Sequence, residues 1–197
     1  MSYLPNIIFE KFILISVILL MLLSFMSCEQ STTERVELPF PPSDNPWTEI
    51  RAERLERLLP LAMQRAEVDV WIVICRENDN DPLALHVGCE NAGGTAAFMF
   101  FLDGEKVTSL VYSPEGEAKS LSDVGVHDKV ISFKRGGNVF ELVADKLIEM
   151  NPSKIAINSS DKNIADGLSY TQRLQLEEAI GSSMSKRFLS SQNLVTE

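Results

Sequence analysis

The chain has 197 residues, with 28 Asp and Glu against 18 Lys and Arg, a formal net charge of −10. Its 45% apolar and 23% charged residues are the mix of an ordinary globular chain of one domain, with or without a tail, and not of a disordered one. The acid excess argues against nucleic acid and against a polybasic membrane-surface role. Three cysteines are too few for a disulfide scaffold and two histidines leave little for metal or acid–base chemistry, so composition leans away from a self-contained enzyme.

Phe12 to Phe25 is a run of 14 residues without a charge, and Lys11 stands just before it. A spanning helix needs about 20 apolar residues, so the run is short for that and suits a signal h-region. It ends in Phe25-Met26-Ser27-Cys28, which resembles a bacterial lipobox but departs from its strict form at Phe25 and Met26. The resemblance implies a signal peptide over residues 1–27, cleavage before Cys28 and a lipid on Cys28. It implies a cell-envelope location, with the chain anchored to a bacterial membrane and its body in the periplasm or outside. A plain secretory signal and an uncleaved anchor are the alternatives. Removing residues 1–27 takes away Glu10 and Lys11, so the mature charge is still −10. Residues 28–46 carry four prolines and no apolar period, and read as a flexible tether.

The folded body is expected over residues 47–190. Thr48 opens a helix with Glu49 in its first turn, and Leu55, Leu58, Leu59, Ala62, Met63 and Ala66 follow as one apolar stripe. Glu53 and Arg57 pair four apart, Pro60 kinks the helix, and the interleaved glutamates make its four arginines a solvated face and not an anion site. Asp69 to Cys75 is a strand covered on both faces. Thr95 to Leu102 is another, joined through the Asp103-Gly104 hairpin signal to a return strand, Lys106 to Tyr112. Lys129 to Phe133 is a shorter strand. Gly136-Gly137 turns into a helix capped by Asn138, with Glu141 in capping-box position and Phe140, Val143, Ala144, Leu147 and Ile148 as its stripe. Pro152 stops that helix. Lys154 to Asn158 is a strand, Leu168 to Ile180 a helix, and Phe188-Leu189 a last short strand. Interleaved helices and strands with buried runs predict a three-layer α/β domain, a mixed β-sheet flanked by helices.

Chemistry-bearing motifs are sparse. His86 and His127 have no second histidine at ligand spacing, and read as surface or loop residues. The acidic run Glu77 to Asp81 has the composition of a calcium loop but lacks its glycine and its twelfth-position glutamate, so it reads as a solvated strand-end loop. Gly136-Gly137-Asn138 stands before a helix N-terminus, yet neither GxGxxG nor a Walker lysine accompanies it. Cys75 and Cys89 pair, or are both buried thiols. Catalytic, metal and cofactor-binding residues are therefore none, and the one site residue expected is the lipidation site Cys28.

Three stretches carry a family resemblance. IRAERLERLLPLAMQRAEVDVWIVICRENDNDP, Ile50 to Pro82, is similar to the opening of the creatinase-type N-terminal domain of M24-family metallopeptidases, the Xaa-Pro aminopeptidase and prolidase-like enzymes. KIAINSSDKNIADGLSYTQRLQLEEAIG, Lys154 to Gly181, agrees with it, and FLSSQNLVTE, Phe188 to Glu197, resembles the segment that joins this domain to the catalytic one. The resemblance implies an aminopeptidase P-like N-terminal fold. It implies that catalysis, with two divalent metal ions held by two aspartates, one histidine and two glutamates, belongs to a following domain that would begin after a linker starting at 191–197. No residue here matches those ligands. The implied function is the non-catalytic N-terminal domain of such a peptidase, truncated before the catalytic domain and inactive alone. The implied partners are that catalytic domain, in cis or in trans, a second copy of the chain, and the membrane through the lipid. The alternatives are a free-standing lipid-anchored binding protein using the same fold, and an enzyme with an unrecognised site.

Overall fold

The computed structural model describes residues 46–76, 81–89 and 93–196. Six strands form one sheet: β1 (Val70–Cys75), β2 (Ala96–Asp103), β3 (Lys106–Pro114), β4 (Lys129–Phe133), β5 (Ile155–Ile157) and β6 (Phe188–Ser190), in the order β4-β3-β2-β1-β5-β6. β2 is antiparallel to both its neighbours, and every other pairing is parallel, so five strands run one way and β2 the other. The reversal comes from the hairpin read in the sequence. Asp103 pairs with Lys106 across a two-residue turn whose first residue, Gly104, has φ +61°, where such turns favour glycine.

Alternation along the strands builds a core layer on each face. Val70, Ile72, Ile74, Ala97, Met99 and Phe101 face one way. They pack against Val143 and Leu147 of α5 (Val139–Met150) and Leu176 and Ile180 of α6 (Tyr170–Ile180). Trp71, Val73, Ala96, Phe98 and Phe100 face the other way, against Leu59 and Met63 of α2 (Leu59–Arg65) and Val87 of α3 (Ala84–Val87). Leu121 of α4 (Ala118–Val124) and Leu194 of α8 (Gln192–Val195) complete that side. The expected three-layer α/β domain with a mixed sheet is the observed one. Both core layers lie within the compact unit Asn45–Glu197, so this part carries what it needs to fold by itself.

Local chemistry explains the helix ends. Asn138 Oδ1 accepts the Phe140 N–H at 3.0 Å and starts α5, and Asn151, in the left-handed region, ends it before Pro152 is reached. Ser169 and Gln172 form a complete capping box at the start of α6. A short helix α7 (Ser182–Ser185) leads into β6.

Several local expectations are corrected. The first helix, α1 (Trp47–Glu53), begins after Pro46 with no side-chain cap, so Thr48 lies inside its first turn. Between α1 and α2 the chain makes a π turn, Arg54–Leu58, in which the Leu59 N–H reaches the Arg54 carbonyl. Pro60 has no N–H to give to the α-helical ladder, and the wider turn lies directly ahead of it. The turn rotates the stripe: Leu59 and Met63 are buried, whereas Leu58 is 56% exposed. Ile148 and Leu174 are likewise exposed. Arg51 does not belong to a solvated face; it is buried, and its Nε donates to the Leu85 carbonyl at 2.6 Å. The short helices α3 and α4 carry too few apolar positions to have signalled themselves.

Candidate functional site

Because β1, β5 and β6 are parallel, the segments that leave them gather at the carboxyl ends of these strands, where open α/β sheets place their sites. Four polar side chains meet there. Trp71 Nε1 and Ser191 Oγ donate to Asn158 Oδ1 at 2.9 and 2.7 Å. Asn158 Nδ2 in turn donates to Asp81 Oδ2 at 2.7 Å, and Asp81 Oδ1 accepts the Leu83 N–H at 2.9 Å. Asp81 is only 2% exposed, and Asn158 and Ser191 are buried. Burial pushes the Asp81 carboxyl above its usual range, against the lowering effect of its hydrogen bonds from Asn158 and Leu83. Gly167 lies so close to Asp81 that an added Cβ would run into the carboxylate.

Beside this cluster, on the α2 face, lies an apolar groove of about 440 Å³. Trp71 lines it, with Leu55, Leu58 and Ala62 from the helical wall and Ile164 and Leu194 among the residues opposite. Ile164 belongs to a 3₁₀ turn, Asn163–Ala165. At one end Arg54 contacts His86 Nδ1 and stands over the Trp47 ring at 5.9 Å, while Trp47 meets the His86 ring edge-on at 6.0 Å. Burial first, then the charges of Arg54 and Arg51, holds His86 below its ordinary pKa, so its imidazole is neutral at neutral pH.

The residues singled out from sequence fall as follows. Cys28, its signal segment, the tether up to Asn45, and Glu77 to Asn80 lie outside the described residues. Asp81, the last of the acidic run, is not solvated but sits in the cluster above. Cys75 and Cys89, whose pairing was open, form a disulfide with Cα atoms 6.2 Å apart. The disulfide closes the loop that carries Asp81 and α3. His86 lines the groove. His127 lies in the loop between α4 and β4, as read, but is half-buried there: it packs edge-on to Phe98 at 5.2 Å, and its Nε2 meets the Val87 carbonyl at 2.9 Å. Its Nδ1 is buried without a partner, and burial lowers its pKa to about 4. Gly136-Gly137-Asn138 is the turn before a capped helix, as read. Among the described residues no three or more His, Cys, Asp or Glu side chains converge as a metal-holding group. Asn158, Trp71 and Ser191 were missed because one isolated Asn, Trp or Ser carries no motif; only the sheet order brings them together.

No protein-family model matches the chain, and no curated protein sequence matches it. Solved structures do. The Xaa-Pro dipeptidase from Bacillus anthracis is similar at 16% identity and a TM-score of 0.51, over 75% of this chain and 34% of that one. The aminopeptidase P (Xaa-Pro aminopeptidase) from Streptococcus thermophilus is similar at 9% identity and a TM-score of 0.50, over 76% and 95%. The N-terminal domain of Xaa-Pro dipeptidase from Lactobacillus brevis aligns at 16% identity and a TM-score of 0.49, over 66% and 89%. At these identities the likeness is one of fold. The chain spans about a third of the length of the Bacillus anthracis dipeptidase.

Proposed function

We propose that the chain serves as the non-catalytic N-terminal domain of an M24-type, Xaa-Pro aminopeptidase- or prolidase-like peptidase, held at a bacterial membrane through a lipid on Cys28. The observation that carries the reading is the fold likeness to the Bacillus anthracis Xaa-Pro dipeptidase, which takes in three quarters of this chain. The sequence blocks Ile50 to Pro82 and Lys154 to Gly181 support it from a second side. In this reading the metal-binding catalytic domain is supplied outside these 197 residues, in cis or in trans. The domain's work is then to shape substrate access and subunit contacts. The two divalent metal ions of such a peptidase would sit in that other domain, because the donor set among the described residues does not fit a metal pair.

The envelope location draws support from the Cys75–Cys89 disulfide, since such bonds persist in oxidising compartments. Cys28→Ala should abolish labelling by a fatty-acid analogue and block processing; equal labelling of the variant would overturn the anchor.

The peptidase reading is tested by mixing residues 45–197 with the catalytic domain of an M24 peptidase, and following sedimentation and Xaa-Pro peptide turnover. A complex, with no turnover by the chain alone, is expected. Turnover by the chain alone would make it an enzyme. A monomer with no affinity for that domain would favour the free-standing binding protein, the reading to which the apolar groove lends weight.

A further inference from the structure

We propose that the groove walled by the π turn and α2 binds an apolar chain ending in a carboxylate, such as a fatty acid, with its carboxylate on Arg54. The site is independent of the peptidase reading.

Charge complementarity carries the assignment. The chain has a net charge of −10, yet among the described residues the groove is lined by no carboxylate; its charged residues there are Arg54 and Arg65. The described arginines Arg57, Arg135 and Arg173 each pair with a glutamate. Arg54 differs: it contacts a neutral imidazole, His86, and the face of Trp47, and no carboxylate among the described residues pairs with it. Arg187 shares that lack, bonding Asn151 and the Pro152 carbonyl, but it does not line the groove. A guanidinium offers five N–H donors in a planar fork, the geometry that takes a carboxylate through two parallel bonds. His86 and Trp47 leave it oriented at the groove's end without neutralising it.

The rest of the groove suits an aliphatic body. About 440 Å³ lies within the range of small-molecule sites. The Trp71 indole spends its only N–H on Asn158, so what it gives the groove is apolar ring surface. Leu58 and Leu61 on one side and Ile164 on the other are each about half exposed, at 56%, 51% and 51%, and form lips that an occupant would cover. Arg65 stands eleven residues beyond Arg54 on the same helical wall, roughly 16 Å at ordinary helical rise, which sets the length available. A helix interrupted by a π turn is also a frequent setting for a binding site.

The test is calorimetry on residues 45–197 with dodecanoate below its micellar concentration, followed in parallel by tryptophan fluorescence. Saturable binding of one dodecanoate per chain is expected. Hexanoate should bind at least roughly tenfold more weakly, because it buries fewer methylenes. Arg54→Gln should weaken dodecanoate by roughly tenfold to a hundredfold, the effect of one charged hydrogen-bonded contact. Leu58→Asp, at an exposed position, should abolish binding while leaving the thermal transition in place. Failure of dodecanoate to bind overturns the proposal, as does equal binding of dodecyl maltoside, which has the tail without the charge. If Leu58→Asp instead changes only the sedimentation of the chain, a second copy covers the groove and the proposal falls. Binding to anionic vesicles with no affinity for free dodecanoate would likewise replace it with a lipid-surface contact.

Discussion

Trp71 decides which way Asn158 faces. The indole Nε1 has a proton to give and none to accept, so the amide must turn Oδ1 towards it, at 2.9 Å. Nδ2 then points at Asp81, and position 81 must accept. A tryptophan on β1 thereby dictates an acceptor in the disulfide-closed loop, and the Leu83 N–H, which also needs one from position 81, makes a carboxylate the fit.

This chain of requirements makes a swap experiment sharp. Asp81→Asn leaves one acceptor for two donors, so an NH2 is set against either the Asn158 NH2 or the Leu83 N–H, and Asn158→Asp puts two acceptors face to face. Each single change should cost about 1–3 kcal/mol in urea unfolding, the scale of a buried group left unpaired. The double variant Asp81→Asn/Asn158→Asp restores every bond of the cluster, including those from Trp71, Ser191 and Leu83. It should recover most of the loss. Additive losses would show that the hydrogen bonds do not set the stability of this cluster.

Gly167→Ala probes the same cluster by volume. The new Cβ would strike the Asp81 carboxylate and come within 2.8 Å of the Asp81 Cα, a backbone atom that cannot swing away. A loss of about 1–3 kcal/mol is expected from overpacking. Glycine 104, with nothing within 4 Å of its added Cβ, provides the contrast: there only its φ of +61° resists alanine.

His127 should make the domain acid-sensitive. The ordinary pKa of 6.5 applies to the unfolded chain and about 4 to the fold, chiefly through burial. The Val87 carbonyl and Asp128 act to raise it, and Arg51 to lower it. Between those values the unfolded state binds more protons. Stability is therefore full above 6.5 and falls as pH drops towards about 4, by up to about 3 kcal/mol. Asp81, whose pKa is raised, has the opposite sign: its contribution is largest when it is protonated and is lost as pH rises from 3.8 through its folded value. His127→Gln, which keeps an N–H for Val87, should remove the His127 part. A variant with an unchanged pH profile would refute the assignment.

Replacing the disulfide should loosen a defined segment. Cys75 and Cys89 are 14 apart, and a loop of that size gives about 3 kcal/mol in the chain-entropy account. Cys75→Ala/Cys89→Ala should lose a comparable amount and show faster amide exchange over residues 81–88, with α5 and α6 unaffected. Uniform loss of protection across the domain would mean that the loop and the core unfold together.

The strands were the most legible part of the fold. β1 and β2 read as buried because every residue from Val70 to Cys75 and from Ala96 to Phe101 is covered on both faces. The hairpin and the Asn138 cap were local signals and stood where they were read. The helix face from Leu55 to Ala66 was legible only in part, since a periodicity count assumes α-helical winding and the π turn breaks the phase. The acidic run misled for a different reason: its composition says loop, but which of its carboxylates turns inward depends on Asn158, 77 positions away. The groove has no sequence signature at all, because its walls come from the first helices, α3, the 3₁₀ turn and α8.

The π turn has the status of a single residue slipped into an otherwise continuous α-helical rod. Taking one residue out of Arg54–Leu58 would let the rod rewind and would swing α1 by about 100° about the axis of α2. Arg51 would leave the Leu85 carbonyl, and Trp47 and Arg54 would leave His86. Chain length at this one place, more than the identity of any side chain, sets where α1 aims and whether the cationic end of the groove exists.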